Sequence, residues 1–293
     1  MVLRVGLVGA GPWARNAHAP MLAAGPETTL AAIWARRPEA AAELAAQHGS
    51  VAAGSYEELL ERCDAVAFAV PPAIQAPLAI TAARAGKALL LDKPIAGDLD
   101  TAGALAEAVA EAGVVSQLML SFRYHRQTDD FLAQAADFPV VGARSAFVHG
   151  SLIPGHWAAV GWRTVDGVLL DLAPHLFDLI AAAVGPIDSV HATGDPLRWV
   201  EVTCRHENGL VTQASFSGSV GGPDGGIRLD LYGEPGVLSF DGRDLDDTER
   251  FARVRAEFAE SVRKGVSGPL DVHRGLMLQR LIDQATRTLG EKR

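Results

Sequence analysis

The sequence predicts an α/β protein with two domains: an N-terminal doubly wound parallel sheet and a C-terminal α+β domain with a mostly antiparallel, open sheet. The 293 residues exceed what one small core needs, and division by about 150 residues per domain gives two. Short apolar runs alternate with alanine-rich stretches up to about residue 120, which is typical of βαβ units. Hairpin signals dominate further on, so we expect domains at 1–121 and 122–293.

In the first domain, each predicted strand is followed by a helix with its own start and stop signals. Pro38 opens a helix that Gly49 closes, Ser55 and Glu58 form a capping box, and Gly86 stops a later helix. The predicted strands are 3–8, 30–35, 65–70, 88–91 and 114–120, and the predicted helices are 12–24, 38–48, 55–61, 75–85 and 100–111.

In the second domain, one long helical pattern over 168–184 is followed mainly by strands. Asn208-Gly209 between 200–204 and 210–216 predicts a hairpin. A second hairpin joins 227–232 to 237–240, and helices return at 249–262 and 276–289. The apolar side chains of Val200, Val202 and Cys204 alternate with Glu201, Thr203 and Arg205, which predicts one polar sheet face.

Composition and charge exclude several kinds of function. A net charge of −9 and a pI near 5.5 disfavour nucleic acids and anionic membranes as partners. The two cysteines, Cys63 and Cys204, match no metal-ligand spacing and are not needed as a disulfide. No apolar run reaches the ~18 residues of a membrane span. We therefore expect a cytoplasmic protein with no bound metal.

A glycine motif marks the turn between the first strand and the first helix. The run Gly9-Ala10-Gly11-Pro12-Trp13-Ala14 has the spacing G-x-G-x-x-A. Such glycines permit a tight turn and the close approach of a pyrophosphate to backbone amides. After an apolar strand in a βαβ pattern, the motif predicts a dinucleotide-binding Rossmann domain. The alternative is a glycine-rich turn that binds nothing.

The end of the second strand indicates which dinucleotide binds. An acidic residue is expected there for an adenosine ribose, but the sequence reads Trp34-Ala35-Arg36-Arg37. Arginine binds a 2′-phosphate bidentately, whereas a carboxylate would repel it. The sequence therefore favours NADP over NAD. The alternative is a solvated turn ahead of Pro38.

A lysine follows the predicted strand 88–91, at the sheet edge where ligands bind. Asp92-Lys93-Pro94 puts a carboxylate and an ammonium at this edge, and Pro94 restricts the backbone of Lys93. The ammonium could polarise a substrate oxygen or contact the cofactor ribose. A surface salt bridge is the alternative.

Three polar residues form a stripe on the long helix of the second domain. Asp171, His175 and Asp178 have the spacing i, i+4 and i+7. A carboxylate one turn from an imidazole suits a general base. Pro174 implies that the helix either begins near Asp171 or bends there. The alternative is a solvated face.

Together these motifs resemble those of the Gfo/Idh/MocA oxidoreductases, in the same order and over nearly the whole chain. The matching segments are Gly9-Ala10-Gly11, Ala69-Val70-Pro71-Pro72, Ala85-Gly86-Lys87, Asp92-Lys93-Pro94, the run 169–178 and the run 231–236. The resemblance implies hydride transfer between NAD(P) and a small-molecule substrate: a sugar, polyol, or related cyclic alcohol or ketone. It also implies a homodimer or homotetramer formed through the C-terminal sheet.

The resemblance also implies roles for individual residues. His175 would take the hydroxyl proton, Lys93 would hold the oxygen, and Asp171 would position and tune these groups. The expected cofactor contacts are Gly9, Gly11, Pro12, Trp13, Ala35, Arg36, Arg37, Val70, Pro71, Gln75, Asp92 and Lys93. The expected substrate contacts are Arg123, His125, Trp162, Arg163 and His175, with His156 and Trp157 as further candidates.

Several positions depart from the family pattern. Asp92 replaces a glutamate, Ala173 replaces a glycine, and Pro72 and Gln75 replace the Asn and His of a Pro-Asn-x-x-His segment. These changes leave open a second hypothesis, an NADP-binding protein without turnover that acts as a sensor or serves a partner. A methyltransferase that binds S-adenosylmethionine is disfavoured because it gives no role to Lys93 or His175.

Overall fold

The structure, a computed structural model, describes residues 2–156, 158–159, 161–222, 225–246 and 248–290. The chain forms two compact units. The first contains Met1–Leu120 and Thr248–Met277, and the second contains Ser121–Asp247 and Leu278–Arg293.

The first unit is built on a six-stranded parallel sheet with the order β3-β2-β1-β4-β5-β6. Its strands are β1 (Leu3–Val8), β2 (Thr28–Trp34), β3 (Val51–Ala52), β4 (Ala65–Phe68), β5 (Ala88–Asp92) and β6 (Ser116–Met119). The strand order reverses between β1 and β4, and ligands bind at such a switch point in doubly wound sheets. The predicted fold class of this unit is confirmed, although the short exposed strand β3 was not predicted.

Most of the helices between these strands begin where the sequence signals indicate. A π-helical turn (Ala14–His18) leads into α1 (Ala19–Ala23), followed by α2 (Pro38–Gln47), α3 (Tyr56–Arg62), α4 (Pro72–Arg84) and α5 (Leu99–Ala112). Half of the predicted capping box is confirmed: the Ser55 hydroxyl accepts from the Glu58 amide at 3.1 Å. The Glu58 carboxylate reaches one residue further back, to the Gly54 amide at 2.8 Å. Helix α4 begins three residues before the prediction, since Pro72 suits a first helical position.

The second unit contains a mixed, mostly antiparallel sheet with the order β12-β11-β7-β10-β9-β8. The strands are β7 (Val140–Val148), β8 (Ile187–Asp195), β9 (Trp199–His206), β10 (Val211–Ser217), β11 (Gly226–Gly233) and β12 (Gly236–Asp241). Only the β7–β10 pair among them is parallel. Both predicted hairpins are confirmed, with Arg205 opposite Val211 and Gly233 opposite Gly236.

One face of this sheet is buried and the other is polar, as predicted. Val200, Val202 and Cys204 are buried, while Glu201 and Arg205 are exposed. Burial raises the pKa of the Cys204 thiol to about 12, so it stays protonated at neutral pH. The subunit interface expected through this sheet stays a prediction.

The predicted site residues of this unit lie in or shortly before three helices: α6 (Arg126–Asp137), α7 (Arg163–Asp171) and α8 (Ala173–Val184). The predicted helix over 168–184 is therefore two helices joined at Leu172, and Pro174 lies in the first turn of α8, where it needs no amide partner. By length and composition alone Arg163–Val184 could cross a membrane, but 89% of its apolar 18-residue window is buried, as in a core helix.

The last two helices, α9 (Arg250–Lys264) and α10 (Val272–Gly290), correct the predicted domain division. Residues 248–277 belong to the first unit instead of the second. The Gln117 amide donates to the Val254 carbonyl at 3.0 Å. The Arg255 guanidinium donates to the Glu27 carboxylate at 2.7 Å and to the Met21 carbonyl at 3.1 Å. These polar contacts hold α9 on the first unit.

We expect the protein to lose stability in mild acid because of His206. Burial lowers the pKa of His206 below its ordinary value of 6.5. Its Nδ1–H donates to the Gly185 carbonyl at 2.8 Å, and its Nε2 accepts from the Thr212 hydroxyl at 2.9 Å. The unfolded chain therefore binds a proton more readily than the folded chain. The free energy of unfolding should fall below pH 6.5, by at most about 1.4 kcal/mol per pH unit, until the folded pKa is reached.

Urea unfolding of wild type and His206→Gln at pH 7.5 and pH 5.5 measures this contribution. The variant should lose less stability between the two pH values than wild type. His191→Gln is the matched control, because His191 is exposed on the neighbouring strand β8. Equal losses in wild type and His206→Gln would contradict the prediction.

Candidate functional site

The glycine loop after β1 forms the floor of a cleft in the first unit. Gly9 has φ +117°, and a Cβ there would overlap the Ala69 carbonyl oxygen, so only glycine fits. The Gly9 amide donates to the Trp34 carbonyl at 2.8 Å, which ties the loop to the end of β2. A Cβ added at Gly11 would meet no other described atom within 4 Å, because this position faces open space.

The cleft lies at the carboxyl ends of β1, β2 and β4 and has a volume of about 490 Å³. The predicted cofactor residues that line it are Gly9, Gly11, Ala35, Arg36, Arg37, Val70 and Pro71. Its other lining residues are largely apolar. An open glycine loop at the switch point, with apolar walls beside it, fits a dinucleotide with its pyrophosphate at the loop.

The residues after β2 give the cleft its charge. Strand β2 ends at Trp34, which puts Ala35 at the position where an acidic residue would contact a ribose. Arg36 and Arg37 follow, are exposed, and line the cleft. No Asp or Glu is among the described residues that line it. The described charged residues that line this end of the cleft are therefore both cations.

Five of the predicted cofactor contacts are not among the residues lining the cleft: Pro12, Trp13, Gln75, Asp92 and Lys93. Pro12 is exposed at the start of the first helix. The Trp13 ring lies edge-on to His18 and Phe251, with centroids 6.2 and 6.5 Å away. Trp13 therefore packs within the first unit. It directly precedes the π-helical turn Ala14–His18, in a segment that the sequence predicts as an ordinary helix.

The Asp92-Lys93-Pro94 segment lies at the carboxyl end of β5, and Lys93 is half-buried. The Asp92 carboxylate accepts from the Lys93 amide at 2.8 Å through Oδ1, and its Oδ2 is 3.5 Å from Nε2 of His18. Gln75 corrects a prediction. Its side chain is fully buried and bonds the backbone of residues 92, 94 and 95, so it is not a cofactor contact.

In the second unit, the polar stripe of the long helix is buried. Asp171, His175 and Asp178 are 5%, 8% and 0% exposed, so the alternative of a solvated face is wrong. Two arginines predicted as substrate contacts pair with its carboxylates. The Arg163 Nε donates to Asp171 at 3.1 Å, and the Arg123 Nη1 donates to Asp178 at 2.8 Å. Both arginines therefore compensate buried negative charge.

His175 lies in the first turn of α8, between aromatic rings. The Phe122 ring lies edge-on to the imidazole, with centroids 5.0 Å apart, and the Phe147 ring lies 6.1 Å away. Aromatic neighbours restrict the orientation of an imidazole and exclude water from it. This setting suits a proton acceptor that must be held in one position.

The other predicted substrate contacts have different surroundings. The Arg163 guanidinium stacks over the Trp162 ring at 4.6 Å from its centroid. His125 is a correction: it is 1% exposed, and its Nδ1 donates to the Asp246 carbonyl at 3.0 Å, so it is a packing residue. Trp157 lies outside the described residues.

A second cavity, of about 420 Å³, lies within the second unit and includes a residue that the sequence did not reveal. It is lined by His149, His156, Ile153, Gly150, Gly221, Gly222 and Gly225. The two imidazole rings lie edge to face, 5.4 Å apart. His149 directly follows β7, and the Phe147 ring lies 6.3 Å from it. Recognition of β7 by its alternation would have indicated His149 at a strand end.

No three His, Cys, Asp or Glu side chains in the described part of the chain are grouped to hold a metal ion.

The comparisons with known proteins agree with the dinucleotide cleft. The model of an oxidoreductase family with an NAD-binding Rossmann fold matches residues 3–120, and the model of the GFO/IDH/MocA C-terminal domain matches residues 139–239. The chain belongs to the Gfo/Idh/MocA oxidoreductase family.

Several members of this family are similar to the chain. A dTDP-3,4-didehydro-2,6-dideoxy-alpha-D-glucose 3-reductase from Actinomadura kijaniata is 31% identical to this chain. The matched region covers 70% of this chain and 60% of that reductase. An inositol 2-dehydrogenase from Rhizobium meliloti is 26% identical over 100% of this chain and 98% of its own length. The crystal structure of GenD2 from gentamicin A biosynthesis, in complex with NAD, has the same fold, with a TM-score of 0.88 and 22% identity over 100% of this chain and 95% of GenD2.

Proposed function

We propose that this Gfo/Idh/MocA protein is an NADP-dependent oxidoreductase that moves a hydride between the nicotinamide and a carbon bearing a hydroxyl or keto oxygen. The main support is the glycine-loop cleft of the first unit. Arg36 and Arg37 line this cleft, and none of its described lining residues is acidic. Lys93 lies at the carboxyl edge of the same parallel sheet.

A sugar, polyol or related cyclic alcohol or ketone is the proposed substrate class. Two relatives support it by their names, a reductase of a nucleotide-linked keto sugar and a dehydrogenase of inositol. In both reactions, the carbon that is oxidised or reduced is a ring carbon that bears an oxygen. The same chemistry needs a group that holds the oxygen and a group that exchanges its proton.

NADP, when bound, supplies the hydride acceptor, and its reduced form supplies the donor. The residues of this chain bind and orient the reactants. The Lys93 ammonium donates to the substrate oxygen and favours the negative charge that develops there. His175 accepts the hydroxyl proton during oxidation and returns it during reduction. Asp171, one turn before His175 in the sequence, stays in its pair with Arg163.

A panel of sugars, inositols and dihydrodiols, assayed for NADP reduction at 340 nm, tests the proposed function. We expect at least one class to give turnover that depends on both substrate and NADP. Thermal shift with NADPH, NADH and S-adenosylmethionine tests the cofactor separately. Stabilisation by NADPH without turnover on any substrate would favour the alternative of a non-catalytic sensor.

We expect Arg36→Glu to weaken NADPH binding much more than NADH binding. A charge-assisted hydrogen bond to the 2′-phosphate is worth about 1.5–3 kcal/mol, so the NADPH Kd should rise about 10- to 100-fold. The NADH Kd should change less than about threefold, because NADH has no phosphate there. Titration of nucleotide fluorescence measures both constants.

Arg84→Glu is the matched control for this substitution. Arg84 is also an exposed arginine of the first unit, but it lies in the last turn of α4 and is not among the cleft-lining residues. It should leave both nucleotide affinities unchanged. Equal weakening of NADPH and NADH binding by Arg36→Glu would refute the 2′-phosphate contact.

A further inference from the structure

Gln75 lies in the first turn of α4, and its side-chain hydrogen bonds all go to one short backbone segment. Its Nε2 donates to the carbonyls of Asp92, Pro94 and Ile95 at 2.8, 3.2 and 3.1 Å, and its Oε1 accepts from the Asp92 amide at 2.8 Å. The side chain is fully buried. A buried amide with these partners costs about 1–3 kcal/mol to leave unpaired, so the segment and the amide hold each other in place.

The amide of Gln75 takes the place of a strand residue. The pairing of β4 with β5 ends at Ala67 opposite Leu90, so β4 does not reach Asp92. In a parallel strand the N–H and C=O of one residue point to the same side, and Gln75 bonds both of these groups of Asp92. The side chain thus continues the ladder on that side of β5, while β6 pairs Met119 with Asp92 on the other.

Asp92 extends this arrangement to Lys93. Its Oδ1 accepts from the Lys93 amide at 2.8 Å, while its Oδ2 lies 3.5 Å from Nε2 of the fully buried His18. The backbone of Lys93 is therefore held by Asp92, and the residues on either side of it are held by Gln75. Its side chain remains half-buried at the carboxyl edge of the sheet.

We propose that Gln75, with Asp92, is a positioning residue for Lys93: it fixes the backbone of residues 92–95 so that the Lys93 ammonium meets the substrate oxygen. This inference rests on the role given to Lys93 in the proposed function. Neither residue touches the reacting atoms. Misplacement of a reacting group by about 1 Å costs about 100-fold in rate, which is the scale of effect that loss of the amide produces.

The test is Gln75→Met, which keeps the volume and removes every hydrogen bond of the amide. We expect kcat to fall about 10- to 100-fold, with KM and the NADPH Kd within about threefold of wild type, since Gln75 is not a cleft-lining residue. Gln75→Asn keeps the amide group on a side chain one methylene shorter, and we expect a smaller loss of kcat. It serves as the second variant if Gln75→Met fails to fold.

Gln117→Met is the matched control. Gln117 is also a buried glutamine of the first unit, on the adjacent strand β6, and its amide donates to the Val254 carbonyl, away from the Lys93 segment. It loses a buried hydrogen bond of the same kind. It should lower the free energy of unfolding and leave kcat per folded molecule unchanged.

A readout without turnover separates positioning from general loosening. Trace labelling of amines with an acylating reagent, followed by mass spectrometry, gives the reactivity of each lysine. In Gln75→Met we expect the reactivity of Lys93 to rise at least threefold toward that of exposed Lys264. The reactivity of Lys87, whose Nζ donates to the Cys63 carbonyl at 2.9 Å, should not change.

Each outcome of these experiments has a different consequence for the two proposals. If kcat in folded Gln75→Met stays within twofold of wild type, or if Lys87 and Lys93 gain reactivity together, the positioning role is overturned. If wild type has no NADP-linked turnover, the proposed function fails, and a selective change at Lys93 still supports the hold of Gln75 on its backbone.

Discussion

Lys93→Ala should reduce NADP-linked turnover by about 10²- to 10⁴-fold while the protein stays folded and still binds NADPH. The substitution removes the donor to the substrate oxygen, and loss of such a donor is expected to have an effect of this size. The hydrogen bonds that organise the segment use the backbone of residues 92–95 and the side chains of Gln75 and Asp92. None of these bonds requires the lysine side chain, so alanine should preserve the local fold.

Steady-state kinetics and thermal shift with NADPH give the two readouts. Lys87→Ala is the control, since its ammonium binds the Cys63 carbonyl in the same unit. It should leave kcat unchanged. Lys93→Arg should recover only part of the activity, because a planar guanidinium does not reproduce a point-charge donor. Turnover of Lys93→Ala within threefold of wild type would remove Lys93 from the mechanism.

The strands and glycine turns of the first unit could be predicted because parallel strands are buried on both faces and become apolar runs. Strands β1 and β5 agree with the predicted ranges to within one residue. The sequence could not show where the C-terminal helices pack. The placement of α9 depends on contacts such as Arg255 with Glu27, which are far apart in the chain.

The second unit was harder to predict because its elements carry weaker patterns. Strand β7 has Ser145 on its buried face, where its hydroxyl donates to the Gln213 carbonyl at 3.1 Å. This polar residue interrupts the alternation that would have indicated a strand. Within α7 the helix is interrupted at Gly167, which has φ +77°; the predicted helix begins directly after it, at 168, but the partner of this glycine could not be predicted. A Cβ there would lie 2.6 Å from the Pro196 carbonyl oxygen, a contact made by the fold alone.

At the candidate site, the residue types could be predicted from the sequence, but their hydrogen-bond partners could not. The sequence indicated the residue types at the glycine loop, Lys93 and the Asp171–His175 pair. It could not show that Arg123 and Arg163 have buried carboxylates as partners, or that Gln75 bonds backbone groups about 20 residues away. Several charged and amide side chains that the sequence predicts as ligand contacts instead make hydrogen bonds within the folded protein.

His175→Asn should lower the rate of alcohol oxidation about 10²- to 10⁴-fold, the usual contribution of a positioned general base. Asparagine retains polarity and approximate size beside Phe122 but cannot take up a proton. In wild type, oxidation should slow in acid because a protonated imidazole cannot accept the hydroxyl proton. The residual activity of the variant should lack that acid limb in its pH–rate profile.

His273→Asn is the control that separates this chemical role from a general effect of removing an imidazole. His273 also lies in the first turn of a helix, α10, but it is exposed. Its replacement should change neither kcat nor the pH–rate profile. If His175→Asn lowers the rate and keeps the acid limb of wild type, then His175 supports the site through packing against Phe122, and another group accepts the proton. Retention of both the rate and the limb would exclude His175 from the reaction altogether.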